Sequence, residues 1–266
     1  MKKLLGIVVL GLLWCNVGFA DKYWLSLPKD VVSGDKFSKA NNLNNTFKKY
    51  GMQVVDKKDG HPVRAGNKSI RFEVRAGDCG QSKGWDDCAT HRERHELSGN
   101  KKISSGVWWY AWSIYFPKDF INVYPTRVHF GQFYAGGPKY GDEVNPPWMF
   151  PNYEKPGYWI NNMVRVPAGH KTQLLTREQM LGKWNDILIN VKWTHKDNGY
   201  LKLWVNNELV FDYKGSTKRK HPINFKFGIY RSGVFIKDVP TQVVYFDEVR
   251  VGKTKEKVVG NLPPLN

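Results

Sequence analysis

The sequence predicts an all-β fold: a concanavalin-like jelly roll in which two antiparallel sheets enclose one core and one sheet offers a concave binding face. Three observations carry this. Runs of β-branched and aromatic residues alternate with polar ones at period 2, short polar turns separate the runs, and helical periodicity is weak throughout. About ten such runs with few helices indicate a sandwich or jelly roll.

In chain order, Ser69 to Arg75 alternates with Ile70, Phe72 and Val74 on one face and Arg71, Glu73 and Arg75 on the other. Gly106 to Phe116 is a long aromatic strand, followed by Arg127 to Tyr134, Tyr158 to Val166 and Asp186 to Trp193. Asp197-Asn198-Gly199 marks a hairpin turn, and Asn206-Asn207 marks the next, because Asn and Gly tolerate positive φ. Phe225 to Arg231 and Gln242 to Val251 complete the strand set, and Thr176 to Leu181 is the best short helical turn. The segment from Gly136 to Pro156, rich in Gly, Pro and Tyr, is expected to close one end of the groove.

Residues 1–20 have the pattern of a signal peptide: Lys2 and Lys3, an apolar run from Leu4 to Trp14, then Gly18 and Ala20 at the positions a signal peptidase reads. Lipid anchoring at Cys15 is disfavoured by the Trp14 that precedes it. The apolar run is shorter than the roughly 20 residues of a membrane helix, so no stable membrane insertion is expected. The chain is therefore expected to be secreted or periplasmic, with residues 21–266 forming a single domain and an irregular Lys- and Asn-rich arm to about Tyr50. A monomer is expected. After cleavage two cysteines remain, Cys79 and Cys88, which most simply form a disulfide in an exported protein.

The net charge is +17, and losing Lys2 and Lys3 leaves +15. Such a field attracts polyanions in general. Export and the lack of a nucleic-acid-binding motif argue against nucleic acid, which leaves an acidic glycan as the favoured partner.

Three segments carry candidate chemistry. On Arg92 to Leu97, period 2 groups Arg92, Arg94 and Glu96, and an arginine there can pair with a carboxylate in two-pronged geometry. On Gly131 to Tyr134, Gln132 and Tyr134 lie side by side. On Phe225 to Arg231, Lys226, Gly228 and Tyr230 share a face, with Gly228 expected to leave room for a ligand and Lys226 to lower the pKa of the Tyr230 phenol. Each segment also has an ordinary structural explanation, as surface ion pairs or half-buried polar residues.

Together, Arg94-His95-Glu96-Leu97 and Lys226-Phe227-Gly228-Ile229-Tyr230 resemble the jelly-roll polysaccharide lyases, a group with alginate, glucuronan and heparin lyases. The stretches Ser69 to Gly80, Trp109 to Phe120 and Trp184 to Val210 look most like the heparin lyase I-like family, and the resemblance spans roughly Gly51 to Val251. Those families carry Gln-x-His on the middle strand, where this chain has Gln132-Phe133-Tyr134. His129 is close by, but its offset of three from Gln132 sets it on the opposite face unless a β-bulge, at Gly131 for example, intervenes.

The resemblance implies β-elimination on a uronate polymer with no metal and no organic cofactor. Gln132 and Arg94 would neutralise the uronate carboxylate, and Tyr230 would act as acid. Tyr230 itself, Tyr134 or His129 would act as base. Lys226, Arg71, Arg75, Arg92 and Glu96 would bind substrate. A jelly-roll glycoside hydrolase is one alternative. It needs a carboxylate pair across the scissile bond, with Glu73 and Glu96 as the available pair and Asp247 and Glu248 expected to be structural. A non-catalytic glycan-binding module, using the eleven tryptophans as stacking platforms, is the other.

Overall fold

The computed structural model describes residues 24–40, 46–82, 84–135, 147–164 and 170–260. The signal-peptide segment with Cys15 lies outside them, as does 136–146 from the expected groove-closing stretch. The strands along the chain begin with β1 (Val32–Ser33), β2 (Phe37–Lys39), β3 (Met52–Asp56), β4 (Lys68–Val74), β5 (Gln81–Ser82) and β6 (Trp85–Asp86). They continue with β7 (Arg92–Gly99), β8 (Gly106–Tyr115), β9 (Arg127–Ala135), β10 (Trp148–Asn152), β11 (Gly157–Asn162) and β12 (His170–Thr176). The last are β13 (Trp184–Trp193), β14 (Tyr200–Val205), β15 (Glu208–Lys214), β16 (Ile223–Ser232) and β17 (Gln242–Gly252).

Among the described residues these strands form two large sheets. One has eight strands, in the order β15-β14-β13-β8-β17-β4-β3, with β1 added in parallel alongside β17. The other has seven, in the order β12-β11-β10-β9-β16-β7-β2. All neighbouring pairs apart from β1–β17 are antiparallel, which is the jelly roll the alternation predicts.

Period 2 decides which side chains meet between the sheets. The eight-stranded sheet turns in Ile70, Phe72 and Val74 from β4 and Tyr110, Trp112 and Ile114 from β8; the other turns in Phe225, Phe227 and Ile229 from β16. The two layers interlock through aromatic contacts, with Trp112 stacked on Phe225 at 5.2 Å and Phe227 edge-on to Phe72 at 5.6 Å. Such offset and edge contacts add to the burial energy of the rings themselves.

The turns follow their residues. Asn206 and Asn207 both have positive φ, 51° and 70°, as the tight hairpin between β14 and β15 requires. Thr176 caps the short helix α1 (Arg177–Met180) in a reciprocal capping box with Gln179.

Two expectations are corrected. The N-terminal arm is not irregular in its described part: β1 joins β17 and β2 joins β7, with Val31, Val32 and Phe37 buried. Strands of two or three residues are too short to display a period. The described part of the Gly- and Pro-rich stretch, 147–156, supplies β10, a central strand of the seven-stranded sheet that buries Trp148 and Phe150.

Cys79 and Cys88 are bonded and close a loop nine residues apart in sequence. In the chain-entropy description, a loop of that length constrains the unfolded state by about 2–3 kcal/mol. Replacing both cysteines with serine is expected to lower unfolding free energy by about that amount, read from denaturant titration. Activity should fall as well, because the loop carries Asp87, which holds a residue of the site below.

Candidate active site

Three adjacent strands, β7, β16 and β9, point polar side chains away from the core on the outer face of the seven-stranded sheet. β7 contributes Arg92, Arg94 and Glu96; β16 contributes Lys226 and Tyr230; β9 contributes His129, Gln132 and Tyr134. The register sets Tyr230 between Arg94 and His129, and Lys226 beside Gln132.

On β9 the alternation slips. Val128 and Phe130 belong to the core, and the next core residues are Phe133 and Ala135, so one step is three residues long. The pairing with β10 shifts at the same point: Gln132 faces Met149 and His129 faces Pro151, three residues of β9 against two of β10. This is a β-bulge, and a bulge re-aims the side chains beyond it. His129 therefore shares the face of Gln132 and Tyr134, and its imidazole stacks on the Tyr230 ring, with centroids 5.5 Å apart at 28°.

The polar groups are tightly interconnected. Arg94 grips Asp87 with two hydrogen bonds, Nε to Oδ2 at 2.7 Å and Nη2 to Oδ1 at 2.5 Å, both groups being almost fully buried. Its guanidinium lies 4.2 Å from the centre of the Tyr230 ring. Arg92 donates through Nε to the Tyr230 hydroxyl at 2.7 Å. Gln132 donates through Nε2 to Glu96 Oε1 at 2.5 Å, which fixes its amide and leaves its second N–H for another acceptor. Lys226 Nζ lies 4.0 Å from Glu96 Oε2 and 4.0 Å from the centre of the Tyr134 ring.

Burial dominates the protonation states. It pushes His129 down to about 3, with Arg127 and Arg94 adding repulsion, so the imidazole is neutral near pH 7. Tyr230 is raised by burial although Arg94 and Arg92 pull the other way, so its phenol keeps its proton. Tyr134 is likewise raised, burial being the first cause. Lys226 is lowered to about 8 by burial, with Glu96 opposing.

Four buried side-chain polar atoms among the described residues have no hydrogen-bond partner: Glu96 Oε2, His129 Nδ1, Asn161 Oδ1 and Thr126 Oγ1. Glu96 Oε2 is still ion-paired, 3.5 Å from Arg94 Nη1 and 4.0 Å from Lys226 Nζ, whereas His129 Nδ1 and Asn161 Oδ1, on the same face, have no partner. Buried polar atoms are normally paired because leaving one unpaired costs about 1–3 kcal/mol, so two such atoms on one face set it apart from the rest of the described surface.

The structure brings together Tyr230, Gln132, Arg94, Tyr134, His129, Lys226, Arg92 and Glu96. It does not bring Arg71 and Arg75 there. They lie on or just beyond β4 in the other sheet, where both pair with Glu73, and Arg75 also covers the Tyr50 ring at 3.8 Å. Glu73 thus shares no cleft with Glu96, so the pair expected for a hydrolase does not form, and the two carboxylates that are in the cluster, Asp87 and Glu96, both pair with Arg94. Asp247 and Glu248 are also in the eight-stranded sheet; Asp247 accepts the backbone N–H groups of Arg64, Ala65 and Glu248.

Two local expectations change as well. The cations beside Tyr230 are Arg92 and Arg94, while Lys226 sits over Tyr134 instead. Gly228 leaves no ligand space: it has φ +130°, and a Cβ there would meet the backbone of His95 at 2.5 Å and of Glu96 at 2.9 Å. Glycine is required by close strand approach.

Reasoning from sequence missed Asp87 and Asn161. Asp87 sits in an aperiodic loop, though its place next to Cys88 marks it as held by the disulfide. Asn161 alternates with the core residues Tyr158 and Ile160 in phase with the outer face, a signal that was available.

Chemically, the cluster sets a neutral imidazole and a protonated phenol in contact, beside a tethered amide and a set of cations. That arrangement can take a proton from one atom and give a proton to another while holding a carboxylate. Among the described residues, no group of three or more His, Cys, Asp and Glu is placed to hold a metal ion, and no helix is long and apolar enough to cross a membrane.

A family described as Polysaccharide lyase has a sequence model that matches residues 36–250. No curated protein matches by sequence. Among solved structures, an endo-beta-1,4-glucuronan lyase from the fungus Trichoderma reesei is similar at 18% identity and TM-score 0.60, covering 87% of this chain and 100% of its own. A family 7 alginate lyase in complex with substrate is similar at 10% identity and TM-score 0.52, covering 78% of this chain and 82% of its own. The alginate lyase AlyC3 gives 13% identity and TM-score 0.50, over 70% of this chain and 75% of its own. At these identities the structural likeness speaks for the fold.

Proposed function

The chain belongs to the polysaccharide lyase family, and from that premise we propose that it is an exported enzyme that cleaves a uronate-containing polysaccharide by β-elimination. The observation that carries the reading is the contact between a neutral His129, its Nδ1 unpartnered, and a protonated Tyr230 on the outer sheet face. Export is supported by the N-terminal pattern and by the Cys79–Cys88 bond, since disulfides persist in oxidising compartments. Residues 21–266 would act as one domain.

The proposed step needs no redox partner. The free N–H of Gln132 binds the uronate carboxylate, and the cations around it, Arg92, Arg94 and Lys226, offset its charge. Neutralised in this way, the carboxylate acidifies the proton on the adjacent ring carbon. His129 takes that proton, and the electrons of the broken C–H bond form the new ring double bond. The glycosidic C–O bond breaks, and the Tyr230 phenol protonates the departing oxygen. Arg92, donating to the phenol oxygen at 2.7 Å, then stabilises the phenolate. Arg94 acts through position: tied to Asp87 and stacked on Tyr230, it holds the phenol in place.

The product carries an unsaturated uronide that absorbs in the ultraviolet. Incubation with glucuronan, polymannuronate, polyguluronate and heparin is expected to raise absorbance with at least one of them. New reducing ends without absorbance would mean hydrolysis, and binding without either signal would mean a non-catalytic module. The resemblance to heparin lyase I-like sequences does not itself choose among these polymers.

Lys226 gives a pH test. Its charge is lost above about pH 8, so KM for a polyuronate is expected to rise through that pH, and Lys226→Met should flatten the dependence. Stability moves oppositely. Between about 8 and the ordinary value of 10.5 the unfolded chain binds the extra proton, so this residue's contribution to folding rises with pH in that window.

A further inference from the structure

We infer that Arg127 forms a subsite for an acidic group, carboxylate or sulfate ester, on the sugar across the scissile bond from the uronate that Gln132 holds. The enzyme then acts where both sugars flanking that bond are acidic, and poorly where uronate alternates with a neutral sugar. The inference rests on the polyuronate reading above and narrows its substrate class.

Arg127 opens β9, and because Val128 turns into the core it shares the outer face with His129. In register, Arg92, Ser232 and Arg127 form a row across β7, β16 and β9, next to the row of Arg94, Tyr230 and His129. Along β10, Gln132 faces Met149, His129 faces Pro151 and Val128 faces Asn152. At about 3.3 Å per residue, His129 lies about 7 Å along the strand from Gln132 and Arg127 about 13 Å from it. The acid and the base therefore stand between Gln132 and Arg127. A sugar with its carboxylate at Gln132 and its departing oxygen at Tyr230 directs the next sugar toward Arg127.

Arg127 also lacks a counter-ion, unlike most cations of this face. Arg94 pairs with Asp87 and Glu96, and Lys226 lies near Glu96. Lys102, close enough to repel Lys226, has Asp35 as its own acidic neighbour. Arg92 donates to neutral acceptors, the Tyr230 hydroxyl and the Thr90 carbonyl. Arg127 is exposed and, among the described residues, makes no hydrogen bond or ion pair. Its Nη2 lies 3.9 Å from where a Cβ on Gly233 would stand, so no side chain covers it there. Burial raises the nearby Tyr153 phenol to about 12, with Arg127 opposing, so that group keeps its proton and supplies no negative charge.

A guanidinium with no anion, one row from the reacting groups, is a receptor for one. Its planar fork meets a carboxylate or a sulfate ester with two parallel hydrogen bonds, a geometry a lysine does not reproduce. A neutral sugar offers hydroxyl acceptors only, and a hydrogen bond to a charged partner is roughly twice as strong.

The test separates this contact from the general attraction of a basic protein. Three synthetic tetrasaccharides are titrated calorimetrically into the full chain carrying Tyr230→Phe, so that nothing is consumed: one all uronate, one of uronate alternating with neutral hexose, and the alternating form O-sulfated on its hexose. At least one acidic form is expected to bind roughly 10-fold more tightly than the alternating neutral form, and the tighter of the two names the anion. Adding Arg127→Ala should erase most of that gap, and Arg127→Lys should restore only part of it. Adding Lys214→Ala, which removes an exposed charge from the other sheet, should leave the gap as it was. In the otherwise unaltered enzyme, Arg127→Ala should raise KM for the preferred form by roughly 10-fold and change kcat far less. Equal binding of all three forms, a gap that survives Arg127→Ala, or one that Lys214→Ala narrows as much, overturns the inference. An Arg127-dependent gap with no cleavage of any form by the unaltered enzyme would leave the subsite standing and remove the lyase reading instead.

Discussion

Replacing Tyr230 with Phe is expected to lower kcat on a polyuronate by about 10²- to 10⁴-fold, the usual contribution of a positioned acid or base. The substitution removes one oxygen and little else. The ring keeps its contact with the Arg94 guanidinium at 4.2 Å and with the His129 imidazole at 5.5 Å. Arg92 loses the acceptor of its Nε hydrogen bond but remains tied to Thr90 through Nη1 at 3.0 Å. Fold and substrate affinity should therefore survive, and KM should change much less than kcat. The direction of the phenol's shift gives the test its force. Burial outweighs two adjacent cations and keeps Tyr230 protonated, which suits a group that gives a proton to a leaving oxygen. Absorbance-detected turnover with circular dichroism on the same samples decides the matter; activity within 10-fold of the unaltered enzyme would remove Tyr230 from the acid role.

The same residues show what period 2 reveals and what it conceals. Alternation assigned Ile70, Phe72 and Val74, and Phe225, Phe227 and Ile229, to the core, since a half-buried strand has one apolar face. It could not say which sheet a strand joins. Arg71 and Arg75 do alternate outward, but on the eight-stranded sheet, because sheet membership depends on long-range pairing that no local pattern encodes. Gly228 was legible as a special position, yet its reason is strand-to-strand approach with positive φ, which needs the neighbouring backbone to be seen. Asp87 was not legible: an acidic residue in an irregular loop gains its meaning only when the disulfide brings it to Arg94. The bulge on β9 was half legible. Phe130 and Phe133 stand three apart between otherwise alternating core residues, and that break in phase is the sequence mark of an inserted residue.

That inserted residue makes His129 the second large effect. His129→Ala is expected to lower kcat by about 10²- to 10⁴-fold, with KM little changed, whereas Tyr134→Phe should cost far less. On a regular strand His129 would point into the core and the ordering would reverse, so the pair of variants tests the bulge and the base assignment together. The pH profile adds an independent reading. A base acts only when unprotonated, and kcat/KM reports the free enzyme. Burial, with Arg127 and Arg94, pushes the imidazole to about 3, so activity on the acid side should persist well below the ordinary histidine value of 6.5. It should decline only as pH falls toward 3. An acid limb centred near 6.5 would mean that this imidazole is solvated during catalysis and held differently against Tyr230. Collapse of activity in Tyr134→Phe with His129→Ala nearly unaffected would transfer the base to Tyr134, whose hydroxyl follows Gln132 by two residues on the same face and whose ring lies under the Lys226 ammonium.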